Sequence, residues 1–220
     1  MIKYIAILIQ FVNLLTSCSG DSLAEETDPI KYREKTVVDY FFRLPKEFLG
    51  FGLKTDEQRI AALLNFKNHY DTRGMEKYAL IESSPNTLQL RAGLLEGTSD
   101  IVLASWKNAE HSDIIGIIRT YSDTDSSETL SLKFYKNESN SWKEITDQIF
   151  PGIKAKYFEP INLKHLPKDS IPAHIHCSLI GNYNDIACRF SLVGENPEDY
   201  YKKPSIVYHW EKNRFVLLNE

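Results

Sequence analysis

Catalytic signatures are missing from this 220-residue chain. It has no G-x-S-x-G elbow, no H-E-x-x-H pair, no P-loop and no dinucleotide fingerprint. These absences favour a non-catalytic protein, and no cofactor or metal is expected. Basic charge is scarce too, with 26 Lys and Arg against 30 Asp and Glu. An acidic chain without a basic cluster suits neither nucleic acid nor an anionic lipid surface, so no nucleic-acid partner is expected. No apolar run reaches the about 20 residues that a membrane-spanning helix needs. Cysteine is limited to three residues: Cys18, Cys177 and Cys188.

What is present begins at the N-terminus. Lys3 is the only charge before Asp21, and the chain from Tyr4 to Leu15 is mostly apolar. That run of about 12 residues has the length of a signal-peptide hydrophobic region behind a positive start. Leu15-Thr16-Ser17-Cys18 follows. This order resembles the lipobox of bacterial lipoproteins. The resemblance covers the signal region alone. It implies cleavage after Ser17 and acylation, palmitate included, of Cys18. Several acyl chains on one residue hold a protein stably at a membrane, which one chain does not. Ser19 stands where an Asp would imply inner-membrane retention, so the resemblance favours the outer membrane. The acidic residues beyond it also resemble surface-export signals of some Gram-negative groups. Residues 19–28 are small, polar and acidic, and read as a flexible tether.

If Cys18 is acylated, Cys177 and Cys188 remain as an even pair in an oxidising compartment, where a disulfide is expected. Residues 174–180 and 186–192 both alternate, around the turn signal Gly181-Asn182-Tyr183-Asn184. Centring a hairpin between Asn182 and Tyr183 pairs Ile175 with Phe190, Cys177 with Cys188, and Leu179 with Ile186. His174, His176, Ser178 and Arg189 then share the other face, and a one-residue slip would destroy the sorting. Directly opposed Cβ atoms lie about 4.5–5.5 Å apart. A disulfide therefore requires a local pinch.

The rest of the chain reads as helices followed by strands, an α+β pattern. Asp28-Pro29 looks like a helix start, and Val37, Tyr40, Phe41 and Leu44 recur at helical spacing before Pro45. Lys46–Lys54 reads as an irregular loop packed by Phe48 and Phe51. Thr55-Asp56-Glu57-Gln58 has the form of a capping box, and predicts a helix from Asp56 to about Lys67 that buries Ile60, Leu63 and Leu64. Strands are predicted at 78–83, 87–92, 101–107, 113–121, 130–135 and 142–146. Their short connections demand antiparallel pairing. Strands at 205–210 and 215–218 close the chain, and their aromatic-turn-aromatic pattern echoes 134–142. The expected organisation is a signal peptide at 1–17, a tether at 18–28 and an α+β domain at 29–220, with sub-units at 29–150 and 153–220. Asp39-Tyr40-Phe41-Phe42-Arg43-Leu44-Pro45, the helix over 59–64 and the Trp-ended meander are similar to a group of bacterial envelope lipoproteins of uncharacterised role. That resemblance supports the fold and implies no activity.

Several constellations compete with plainer readings. His174-x-His176 is a common start for a metal site, but the register sets Arg189 opposite His176, so surface histidines are expected. His165 and His209 join them only if tertiary contacts bring them close. Parity puts Cys188 and His176 on opposite faces, which excludes a nucleophile pair. Asp123-Thr124-Asp125-Ser126-Ser127-Glu128 lacks the glycine and spacing of an EF-hand and reads as a hairpin loop. Glu144, Asp147 and Glu159 carry no spacing that selects a glycosidase pair. Tyr200 and Tyr201, flanked by Glu198-Asp199 and Lys202-Lys203, form the best candidate for an exposed aromatic contact with a protein or glycan partner. The sequence thus points to a lipid-anchored envelope protein with a binding or interaction role. The alternatives are an envelope hydrolase acting on glycan or peptide, and a structural accessory subunit of an envelope complex.

Overall fold

Helices form where capping side chains and apolar spacing agree. The structure is a computed structural model. It describes residues 35–49, 52–65, 78–94, 96–107, 113–124, 126–138, 141–158, 174–181, 184–191 and 203–218. The signal region, Cys18, the tether, the Asp28-Pro29 helix start, His165, Glu159, Tyr200 and Tyr201 lie outside the described residues. All the described residues belong to one compact unit, Lys35–Glu220. Helix α1 spans Val37–Arg43. Its Thr36 cap donates its backbone N–H and its hydroxyl to Asp39 Oδ2, at 2.6 and 2.9 Å. Pro45 follows Leu44, which is extended and ends the helix. Lys46–Leu49 is a single helical turn, α2, where a loop was expected. Phe48 on that turn stacks on Tyr135 with centroids 4.0 Å apart, which ties the segment down.

Helix α3 spans Asp56–Leu64 and shows the expected cap: Thr55 accepts from the Gln58 N–H, and Gln58 Oε1 from the Thr55 N–H. It is shorter than predicted and is turned differently. Arg59, Ala62 and Leu63 are buried, whereas Ile60 and Leu64 are 39% and 55% exposed. Arg59 explains the rotation. Its guanidinium donates to the carbonyls of Leu53, Phe41, Phe42 and Leu44, at 2.7–3.0 Å. Three of these carbonyls lie in the last turn of α1 or at its cap, where helical partners run out. The positive charge also suits that end of the helix dipole. A charge buried with this many acceptors is tolerable, and it takes the inward place that apolar spacing assigned to Ile60.

Six strands form one antiparallel sheet in sequence order: β1 (Tyr78–Ser83), β2 (Thr87–Leu94), β3 (Gly97–Lys107), β4 (Asp113–Ser122), β5 (Ser127–Glu138) and β6 (Ser141–Glu144). The last predicted strand is shorter than expected, because Thr146–Ile149 turns into a helix, α4. A second sheet has the order β10-β9-β8-β7. Its strands are β7 (His174–Ile180), β8 (Asp185–Ser191), β9 (Ser205–Glu211) and β10 (Arg214–Leu217). The β9–β10 turn places Lys212 and Asn213 at φ 48° and 74°. Two successive positive φ values match the right-handed twist of a tight hairpin. The fold is thus mainly antiparallel β with a few short helices, so α+β describes it only loosely.

The larger sheet is covered on both faces. Residues paired across strands share a face, so Leu90, Ile101 and Arg119 lie together, as do Leu88, Leu103 and Ile117. Helices α1 and α3 pack on β1, β2 and β3. The opposite face carries Ala104, Trp106, Ile114 and Phe134, which join Ile186, Phe190, Ile206, Tyr208 and Phe215 of the smaller sheet in one buried cluster. Phe134 lies 5.0 Å from Phe215 and 5.7 Å from Trp106. Gly116 is required here: a Cβ would come within 2.6 Å of the Trp106 ring. This cluster fills one end of the larger sheet's face and leaves the other end polar.

Candidate functional site

The polar end follows from alternation in β2 and β3. Leu88 and Leu90 turn to the helices, so Thr87, Gln89 and Arg91 turn the other way. Register brings Arg91 opposite Asp100 and Asp100 opposite Thr120. Arg91 grips Asp100 through Nε and Nη2, at 2.6 and 2.7 Å, and Gln89 Nε2 donates to Asp100 at 3.2 Å. The carboxylate is therefore fixed and its charge is offset.

Strand β7 converts this floor into a cleft. It is an edge of the smaller sheet and runs beside the N-terminal end of β5. The seam is made by side chains. His174 Nδ1 lies 2.6 Å from Glu128 Oε2, and His176 Nδ1 lies 2.8 Å from Ser127 Oγ. The Cys177 N–H donates to Thr129 Oγ1 at 2.6 Å. The two histidines expected at the surface are both half-buried against β5. The resulting cleft, of about 140 Å³, is lined by Thr87, Gln89, Asp100, Thr120, His176 and Ser178, with Val102 and Leu179 as apolar wall and Glu82 exposed beside Gln89.

The β7–β8 register is the one expected, with His176 opposite Arg189. Cys177 and Cys188 are bonded, with Cα atoms 4.1 Å apart, closer than an average opposed pair. The disulfide fastens the strand that walls the cleft to its neighbour. His176 feels its surroundings clearly. Burial first, then the Arg189 charge, lowers its pKa, and Asp100 opposes that in part. The ring is accordingly neutral at pH 7. Ser127 Oγ also lies 2.7 Å from Ser122 Oγ, so the imidazole ends a chain of two hydroxyls.

Other candidates are placed elsewhere. His209 pairs with Asp185 at 2.5 Å. Asp123 accepts from the Ser126 N–H at 2.6 Å and so closes its own loop. Glu144 is held by Lys133 at 3.0 Å and accepts from Thr146 Oγ1. Among the described residues, no three His, Cys, Asp or Glu side chains cluster as a metal site. Ser127 does not line the cleft, so its bond to His176 orients the ring and does not form an exposed nucleophile pair.

Sequence reasoning missed the cleft floor. Its signal was there: Gln89, Arg91 and Asp100 occupy one face of two adjacent strands. That pattern reads as a solvent face until β7 is seen to cover it.

The architecture defines a class of two packed antiparallel sheets with short N-terminal helices. Among solved structures, a domain of an uncharacterized protein from Porphyromonas gingivalis W83 is similar to this chain, with a TM-score of 0.53 and 17% identity. The likeness covers 84% of this chain and 98% of that one, and shows the fold alone. No protein-family model and no curated protein matches the sequence.

Proposed function

We propose that the chain is a lipid-anchored, non-catalytic binding domain of the cell envelope and that the cleft beside β7 is its binding site. The observation that carries the binding role is the pairing of Asp100. A carboxylate clamped by Arg91 and Gln89 is a poor general base or nucleophile, but a well-oriented acceptor. Anchoring at the envelope, with the outer membrane favoured, is supported by the lipobox-like Leu15-Thr16-Ser17-Cys18. The Cys177–Cys188 bond fits the oxidising compartment that export would bring. Tyr200 and Tyr201 remain a proposed second contact for a protein or glycan partner.

One observation favours the hydrolase alternative. His176 is neutral at pH 7 and walls a cleft, as a general base must. The two readings separate when the full chain is mixed with glycan and peptide fractions of a cell envelope. The binding reading expects a fraction to be retained and recovered with its mass unchanged. Cleavage products that disappear in a His176→Gln variant would establish the hydrolase instead.

A further inference from the structure

We propose that the cleft accepts one neutral, hydroxyl-bearing ring, a single sugar residue of an envelope glycan. The proposal rests on the binding-domain reading and names its ligand class.

Charge argues first. Asp100 is offset by Arg91 through two short bonds, and the neutral His176 stands opposite Arg189. An anionic ligand would meet the Asp100 carboxylate, and a cationic one would find that carboxylate already paired with Arg91. A neutral ligand meets no uncompensated cost.

Hydrogen bonding argues second. Thr120 and Ser178 line the cleft, and neither hydroxyl has a side-chain partner among the described residues. His176 Nδ1 is taken by Ser127, and Nε2 has no partner among the described residues. The chain Ser122–Ser127–His176 can run in either direction. If Ser127 donates to Nδ1, Nε2 carries the proton and donates. If Ser127 turns its proton to Ser122, Nδ1–H donates to Ser127 and Nε2 accepts. Hydroxyls and such an imidazole all serve as donor or acceptor, which matches the two-way chemistry of a sugar hydroxyl.

Strand β7 adds backbone groups. Its Cys177 N–H points outward to Thr129 Oγ1, so strand parity turns the Leu179 N–H and C=O outward as well. Shape and size complete the case. Val102 and Leu179 give the cleft an apolar side for the C–H face of a ring. A volume of about 140 Å³ falls below the roughly 300–1,000 Å³ of drug-sized sites and suits one ring of a longer chain.

The test titrates the full chain with glucose, galactose, mannose and N-acetylglucosamine, and with glucuronate and glucosamine as charged counterparts. Amide NMR shifts locate binding and calorimetry gives its strength. The expected result is movement of the Val102, Thr120, Ser178 and Leu179 amides by at least one neutral sugar. Thr120→Val and His176→Phe, each keeping the native amide pattern elsewhere, should each weaken it about tenfold. The proposal is overturned if no neutral sugar moves these amides, or if neither substitution changes the affinity. Movement by the charged sugars alone would overturn the ligand class and leave the binding reading intact. Conversion of a bound sugar would support the ligand class and overturn the non-catalytic reading.

Discussion

Arg59 and His176 show how single side chains set this structure. Arg59 joins three N-terminal segments by satisfying carbonyls that α1 leaves open. Tyr40 does similar work between α1 and β4: its hydroxyl donates to Asp113, and burial and that carboxylate raise its pKa well above the ordinary range. His176 has the opposite character. Its folded pKa lies below the ordinary value of about 6.5, chiefly through burial and then through Arg189. Between those two values the unfolded chain binds a proton that the folded chain refuses, so stability rises with pH there. The contribution is present in full above about pH 6.5 and is lost as pH falls toward the lowered value. Denaturant unfolding should therefore show the native chain losing more stability between pH 7.5 and 5 than His176→Gln. Equal losses would show that His176 is not held neutral.

Elements differ in how far the sequence reveals them. The β7–β8 register was legible because a period of two sorts every residue, and only one pairing placed both cysteines and both apolar sets together. The β1–β2 turn was legible from Ser84-Pro85-Asn86, and the β9–β10 turn from Glu211-Lys212-Asn213-Arg214. The inward face of α3 was not. Counting apolar residues favours Ile60 and Leu64, and it cannot see the carbonyls of α1 that draw Arg59 inward. The cleft was hidden for the same reason: its floor lies on β2 and β3, and its wall arrives on β7 from far along the chain. The disulfide makes that wall dependable. Replacing both Cys177 and Cys188 by Ala should cost about 2–4 kcal/mol by the chain-entropy account. Hydrogen exchange should speed up at the β7 amides before those of β2–β4. Unchanged β7 protection would mean that the β5 seam alone holds the strand.

At the scale of the whole molecule, the larger sheet divides its two faces between different tasks. Helices close one face. The aromatic cluster closes most of the other and leaves a polar corner against β7. The proposed tether would carry this corner away from the membrane, where a ligand of the envelope could reach it. The proposed export and anchoring would also supply the oxidising compartment that permits the disulfide. Mass analysis of the cellular protein tests them most directly. The account predicts a membrane-bound chain that begins at an acylated Cys18, with Cys177 and Cys188 bonded, and release of a Cys18→Ala variant from the membrane. A soluble chain that retains Met1, with free thiols at 177 and 188, would contradict it.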